Sequence, residues 1–300
     1  MGRIEHFPTA SGSMMTATPS LTQPGLALPP GRPPRCLVFD SGVGGLSVLK
    51  EIQALLPDLD ITYVADDAGF PYGAWMEHKL VDHVGALMGD LTATHKPDLV
   101  VVACNTASTL VLPSLRQKFD TPFVGTVPAI KTAASVTRSR VVSVLATPGT
   151  VKRDYTRALI DTYASHLDIA LVGAQSLATL AEAYMRGETI SEQAVKAELR
   201  PCFRDIRGRK TDTIVLGCTH YPFLIDTFKR VAPWSVTWID PAPAIARRVA
   251  ALLGREARGG DARSPVATNA APSKLGRAVF TTGTPPETLR ATLQKFALTA

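Results

Sequence analysis

Leu99-Val100-Val101-Val102-Ala103-Cys104-Asn105-Thr106 decides the fold class. An unbroken apolar, β-rich run stops at a cysteine, and small hydrogen-bonding residues follow before a helical stretch. A run this short and this uniformly apolar reads as a strand buried on both faces, the habit of parallel sheets covered by helices. The pattern returns at Thr213-Ile214-Val215-Leu216-Gly217-Cys218-Thr219-His220. Ligands of open α/β sheets bind beyond the carboxyl ends of the strands, so both cysteines stand where chemistry is done. Burial alone accounts for any single thiol, since free cysteine is among the most buried residue types. A matched pair with polar flanks goes beyond that.

Working outward, strand and helix alternate along the chain. Leu37–Asp40, Ile61–Ala65 and Leu99–Ala103 read as strands of a first unit, and Val141–Ala146, Ile169–Val172 and Thr213–Leu216 as strands of a second. Leu46, Leu49, Ile52 and Leu56 fall on one face of a helix. Such alternation predicts an α/β fold of mainly parallel sheets flanked by helices. A last strand over Ala278–Thr282 and a helix over Glu287–Phe296 are expected to return to the first domain. The domains are placed at 35–127 plus 240–300 and at 128–239. Residues 1–34 carry seven prolines and read as a disordered or loosely docked extension, with no pattern of a secretory signal. Residues 254–276 read as a long loop.

The bulk numbers narrow the function. The 300 residues hold four cysteines, Cys36, Cys104, Cys202 and Cys218, without CxxC spacing. That argues against a zinc site or disulfide framework and for reduced thiols in a cytoplasm. No apolar run is long enough to span a membrane. The net charge of +6 suits an acidic metabolite, and no nucleic-acid-binding motif accompanies it.

Three further segments carry chemistry. Asp40-Ser41-Gly42-Val43-Gly44-Gly45 ends the first strand and opens a helix, a turn whose backbone N–H groups suit an anion. It lacks both the G-x-G-x-x-G of dinucleotide sites and the second carboxylate of a D-x-D phosphatase. Asp66-Asp67-Ala68-Gly69-Phe70-Pro71-Tyr72-Gly73 follows the second strand; it reads as a turn and helix cap, or as a loop bringing a Tyr hydroxyl and a backbone N–H to the crevice. His220 stands two residues after Cys218 and can exchange a proton with it, and Asp40 can serve Cys104 in the same way. Two thiols on opposite sides of one substrate are the equipment of a two-base racemase.

At these residues the chain resembles the glutamate racemases, cofactor-independent enzymes that supply D-glutamate for peptidoglycan. The matching segments are Phe39-Asp40-Ser41-Gly42-Val43-Gly44-Gly45-Leu46, Pro71-Tyr72-Gly73, Ala103-Cys104-Asn105-Thr106-Ala107 and Leu216-Gly217-Cys218-Thr219-His220-Tyr221-Pro222. Val127-Pro128-Ala129-Ile130-Lys131 and Gly149-Thr150-Val151-Lys152-Arg153 resemble the Gram-negative subgroup. The resemblance implies two pseudo-symmetric domains with the active site between them. It makes Cys104 the acid/base for the D enantiomer, assisted by Asp40, and Cys218 that for the L enantiomer, assisted by His220. Asp66 and Glu182 resemble accessory carboxylates. Substrate contacts fall to Asp40, Ser41, Tyr72, Gly73, Asn105, Thr106, Thr219 and His220.

It further implies glutamate as substrate and no metal or cofactor. UDP-N-acetylmuramoyl-L-alanine is an expected activator, acting with part of the extension, and a homodimer is an admissible assembly. Asp240-Pro241-Ala242-Pro243 departs from the family's Asp-Ser-Gly and leaves the shape of that loop open. The alternatives are another two-cysteine racemase or isomerase, acting on aspartate, hydantoins or maleate, and a non-catalytic basic binding protein.

Overall fold

The computed structural model describes Leu26, Leu28 and residues 30–255 and 275–300. Two parallel sheets form the frame. The first runs β12-β11-β2-β1-β3-β4, built from β1 (Arg35–Asp40), β2 (Asp60–Ala65), β3 (Leu99–Val102), β4 (Phe123–Gly125), β11 (Gly276–Phe280) and β12 (Leu298–Thr299). The second runs β10-β9-β5-β6, from β5 (Val141–Ala146), β6 (Asp168–Gly173), β9 (Thr213–Gly217) and β10 (Thr237–Ile239). A small antiparallel hairpin, β7 (Asp205–Ile206) with β8 (Arg209–Lys210), stands apart.

The continuous apolar strands are explained by two-sided burial. In β1, Cys36 and Val38 face one core with α1 (Leu46–Leu55) and α10 (Ala242–Leu252). Leu37 and Phe39 face another, with α2 (Glu77–His95) and α3 (Asn105–Lys118). The second sheet is enclosed likewise. Leu145, Ile214 and Leu216 pack with α7 (Leu177–Met185), α8 (Glu192–Leu199) and α9 (Ile225–Val231). Val142, Val144 and Val215 pack towards α4 (Ile130–Val136) and α6 (Asp154–Tyr163).

The two sheets repeat one topological device. In each, the first strand has its successor on one side and the third strand on the other, as β1 sits between β2 and β3 and β5 between β6 and β9. Neighbouring strands that leave in opposite directions open a crevice at their carboxyl ends. Cys104 follows β3 and Cys218 follows β9, so each thiol stands at its sheet's switch point.

Several expectations need correction. The strand expected at Ala278–Thr282 is β11, Gly276–Phe280, two residues earlier, because its pairing with β2 ends where β2 ends, at Phe280 against Ala65, and the short β12 follows it. Thr281 and Thr282 are thereby released to bind Asp66 and Asp67. The terminal helix begins as a 3-10 turn over Glu287–Leu289 before α11 (Arg290–Lys295). The end of the extension is docked. Leu26 and Leu28 pack on the first core, the Leu26 N–H donates to the Leu252 carbonyl at 2.8 Å, and Arg32 grips Asp98 through two 2.7 Å bonds. The remainder of the 1–34 reading and most of the 254–276 loop lie outside the described residues. The unusual Asp240-Pro241-Ala242-Pro243 segment starts α10, Asp240 accepting the Ala242 N–H at 2.9 Å. Burial pushes that carboxyl up to about 6.

Candidate active site

Asp40, Ser41, Asn105, Thr106, Thr219, His220, Glu182 and both cysteines are brought together, all buried. Their positions follow from strand ends and helix starts. Cys104 is the residue before α3, and Asn105 and Thr106 fill its first turn. The loop after β1 runs Ser41 to Gly45 into α1.

Two of its glycines are there for close approach. A Cβ on Gly44 would stand 2.3 Å from His220 Nδ1, and one on Gly42 would stand 2.2 Å from Glu182 Oε1. Only a bare backbone lets the His220 imidazole and the Glu182 carboxylate reach this turn.

Around Cys218 the groups form a chain. His220 Nδ1 lies 3.7 Å from the Cys218 sulfur, and its Nε2 lies 2.8 Å from Glu182 Oε1. The same Glu182 oxygen accepts the Val43 N–H at 2.7 Å, and Arg186 reaches its other oxygen at 3.3 Å. Burial opposes a charge on His220, but the bonds to Cys218 and Glu182 outweigh it and hold its pKa well above the usual value. Glu182 shows the complement: burial works against its charge, yet His220 and the Val43 N–H bring its pKa below the ordinary value. Cys218 thus has a cation at its side.

Cys104 stands in a different field. Burial, reinforced by the charge of Asp40, pushes its thiol up to about 12, and the charge of Cys218 acts in the same direction. Its near polar neighbour is the Ser41 hydroxyl at 3.7 Å. Asp40 bonds elsewhere, accepting the Gly42 N–H at 2.8 Å and the Thr219 hydroxyl at 3.0 Å. It therefore bears on Cys104 by charge. Burial raises the Asp40 pKa as well, against the pull of His220.

Polar capacity is left open between the sheets. Asn105 is 2% exposed, and neither its amide oxygen nor its nitrogen has a partner among the described residues. Buried amides are ordinarily satisfied, so this one is arranged for a bound polar group. Thr106 meets Thr147 at 2.9 Å and Thr150 at 3.3 Å. Neither Thr147 nor Thr150, which lies in the short α5 (Pro148–Val151), was among the expected site residues, although Thr147 sits just past β5 where ligand groups gather.

Tyr72 departs from expectation. Its hydroxyl is bonded to Asp66 and the residue is only 2% exposed, so the hydroxyl is already engaged inside the protein. Gly73 faces Thr147, 3.5 Å from a Cβ built there. Asp66 also takes His83 Nε2 at 2.6 Å and the Thr281 hydroxyl at 2.7 Å. Among the described residues, no cluster of three or more His, Cys, Asp or Glu is disposed to hold a metal, and no helix is long and apolar enough to cross a membrane.

The sequence profile of the Asp/Glu/Hydantoin racemase family matches residues 44–249. The glutamate racemase of Sinorhizobium fredii is 52% identical over 268 residues, covering 88% of this chain and 95% of that protein. That of Brucella anthropi is 58% identical over 218 residues, covering 72% and 78%. The crystal structure of Escherichia coli glutamate racemase in complex with L-glutamate and the activator UDP-MurNAc-ala superposes with a TM-score of 0.77 at 44% identity, covering 88% of this chain and 95% of that one. With relatives more than half identical over most of their length, and a fold shared with solved glutamate racemases, the chain belongs to the Asp/Glu/Hydantoin racemase family, among its glutamate racemases.

Proposed function

We propose that this chain interconverts L- and D-glutamate by passing the α-proton between Cys218 and Cys104. One observation carries the reading: two thiols end equivalent strands of facing sheets, one beside a cationic imidazole and the other held protonated by burial. In the L-to-D direction the Cys218 thiolate removes the α-proton, leaving a carbanion. The Cys104 thiol then delivers its proton to the opposite face and becomes the thiolate. The reverse direction starts from that state.

The α-proton is weakly acidic because the neighbouring carboxylate resists becoming an enediolate. Ser41, Asn105, Thr106 and Thr219 supply neutral donors for the substrate carboxylates, and the enclosed crevice strengthens each contact. His220, backed by Glu182, stabilises the Cys218 thiolate, and Asp40 tunes Cys104. Asp66 holds Tyr72, and Gly73 closes the wall beside Thr147.

The setting belongs to the same reading. Domains 35–127 plus 240–300 and 128–239 close on the substrate, in a cytoplasmic enzyme that supplies D-glutamate for peptidoglycan, either alone or as a homodimer. The activator bound to the Escherichia coli relative suits this chain too. A cavity of about 480 Å³ has Arg116, Arg248, Asp120, Gly125 and Leu252 among its lining residues, and Leu252 is bonded to Leu26 of the extension. Guanidinium groups there suit the phosphates of a nucleotide sugar.

The test is to incubate purified protein with each enantiomer of glutamate in deuterated water and follow it by chiral chromatography. Inverted glutamate carrying solvent deuterium at the α-carbon is expected, with aspartate turned over far more slowly. A side chain one methylene shorter misplaces its distal carboxylate and strands buried polar groups. Equal rates on both would reassign the chain to a neighbouring racemase, and no turnover would leave a binding protein.

A further inference from the structure

Asp66 is 1% exposed, and three side chains converge on it. Thr281 donates to one oxygen; Tyr72 and His83 share the other. Of these, His83 comes from the middle of α2, its side chain about one-third exposed.

The imidazole is held on several sides. Its ring lies 4.9 Å from that of Trp75 at a shallow angle and 6.3 Å from that of Tyr72, edge-on. Trp75 is itself anchored by its indole N–H to the Gly69 carbonyl at 2.8 Å. His83 therefore meets the Gly69–Trp75 segment twice, at Tyr72 through the shared Asp66 oxygen and at Trp75 by ring contact. That segment carries Tyr72 and Gly73. The Tyr72 ring belongs to the same buried cluster as Cys104 and Phe39, with 6.4 Å between the Phe39 and Tyr72 ring centres. Cys218 lies in a separate cluster of the other domain.

We propose that His83 is a positioning residue for the Cys104 half of the reaction, acting through Asp66 on Tyr72. A carboxylate this buried needs every donor it has, and loss of one frees the others to reorient. Removing the His83 donor lets Asp66 turn, releases the Tyr72 hydroxyl, and loosens the wall on which Cys104 meets the substrate. The Cys218 side, held by Glu182 and His220, keeps its geometry. The inference rests on the two-thiol racemase reading and adds to it a residue with no motif around it.

The experiment compares wild type, His83→Leu and His83→Gln, each as the full chain. Overall equilibrium ties the two directional kcat/KM values together, so asymmetry is read from primary isotope effects with α-deuterated D- and L-glutamate. His83→Leu should lower kcat/KM about tenfold, a smaller loss than the ~10²-fold that a full 1 Å misplacement of a reacting group costs. The isotope effect should rise with D-glutamate, whose proton Cys104 removes, and fall with L-glutamate. His83→Gln, which keeps an N–H donor, should recover most of the rate and the wild-type isotope pattern. Should His83→Leu fail to fold, Tyr72→Phe removes the other donor to the same oxygen and should show the same asymmetry. Wild-type kinetics in His83→Leu would overturn the proposal. So would equal losses in the Leu and Gln variants, or isotope effects that move together. A wild-type chain that leaves both enantiomers unchanged would overturn the racemase reading itself, and this inference with it.

Discussion

Thr219, one residue beyond Cys218, donates its hydroxyl at 3.0 Å to Asp40, the last residue of β1 in the facing sheet. The bond has parallels. The Ser47 hydroxyl reaches back to the Thr219 carbonyl at 2.8 Å, and Glu182 accepts the Val43 N–H. The groups around the two cysteines are thus tied together across the two sheets.

Replacing Cys104 or Cys218 with Ala should abolish net inversion, because no donor then stands on the required face. General acid–base groups contribute about 10²–10⁴-fold, so the loss is easily seen by polarimetry. Cys36 and Cys202 are buried, and burial pushes both thiols up to about 12. Exchanging either for Ala should lower the melting temperature and leave inversion intact. A correctly folded Cys104→Ala or Cys218→Ala protein working at the wild-type rate would sink the mechanism.

Gly44→Ala tests the close approach of His220 to the turn after β1. The added Cβ would stand 2.3 Å from His220 Nδ1, while Glu182 holds the far side of that ring. Displacement of the imidazole by about 1 Å should cost on the order of 10²-fold in kcat. Gly85→Ala is the control. It lies inside α2 with nothing within 4 Å of a built Cβ, so helix propensity should raise stability by about 1 kcal/mol without touching activity.

The Glu182–His220 pair gives stability opposite pH slopes. Glu182, with its folded pKa lowered, contributes fully above the ordinary value of 4.5 and loses its contribution as pH falls through the folded value. His220, with its folded pKa raised, contributes fully below the ordinary 6.5 and loses it as pH rises through the folded value. Asp40, raised by burial, tilts the acid side the other way, so the useful comparison is with a variant. Glu182→Gln should flatten the acid limb and move the alkaline limb to lower pH in thermal melts. Superimposable wild-type and variant profiles would contradict the pairing.

Truncation should separate two parts of the extension. Removing residues 1–25 should leave the melting temperature and basal turnover unchanged. Removing 1–34 strips Leu26 and Leu28 from the first core and leaves Asp98 without Arg32. A loss of about 2 kcal/mol is expected from that apolar burial, read by urea denaturation. Equal stability of the two truncations would show that the docked segment contributes nothing.

By itself the sequence determined the parallel α/β class, because strands buried on both faces must be apolar throughout. It also singled out the two cysteines, since a strand that ends at a reactive residue announces it in the next few positions. Asp40, Thr219 and His220 were legible for the same reason. Tertiary structure alone decided what these groups touch. Glu182 reaches His220 from a helix 38 residues away, and His83 reaches Asp66 from a turn in the middle of another. Thr147 and Thr150 meet Thr106 from 41 and 44 residues further along the chain. β4, β10 and β12, each of two or three residues, are too short to show a period and exist because a neighbouring strand edge accepts them. The surroundings of the two thiols have the same origin. Cys104 and Cys218 share one sequence pattern, but their neighbours arrive through space: the charge of Asp40 bears on Cys104, and the His220 imidazole lies 3.7 Å from the Cys218 sulfur.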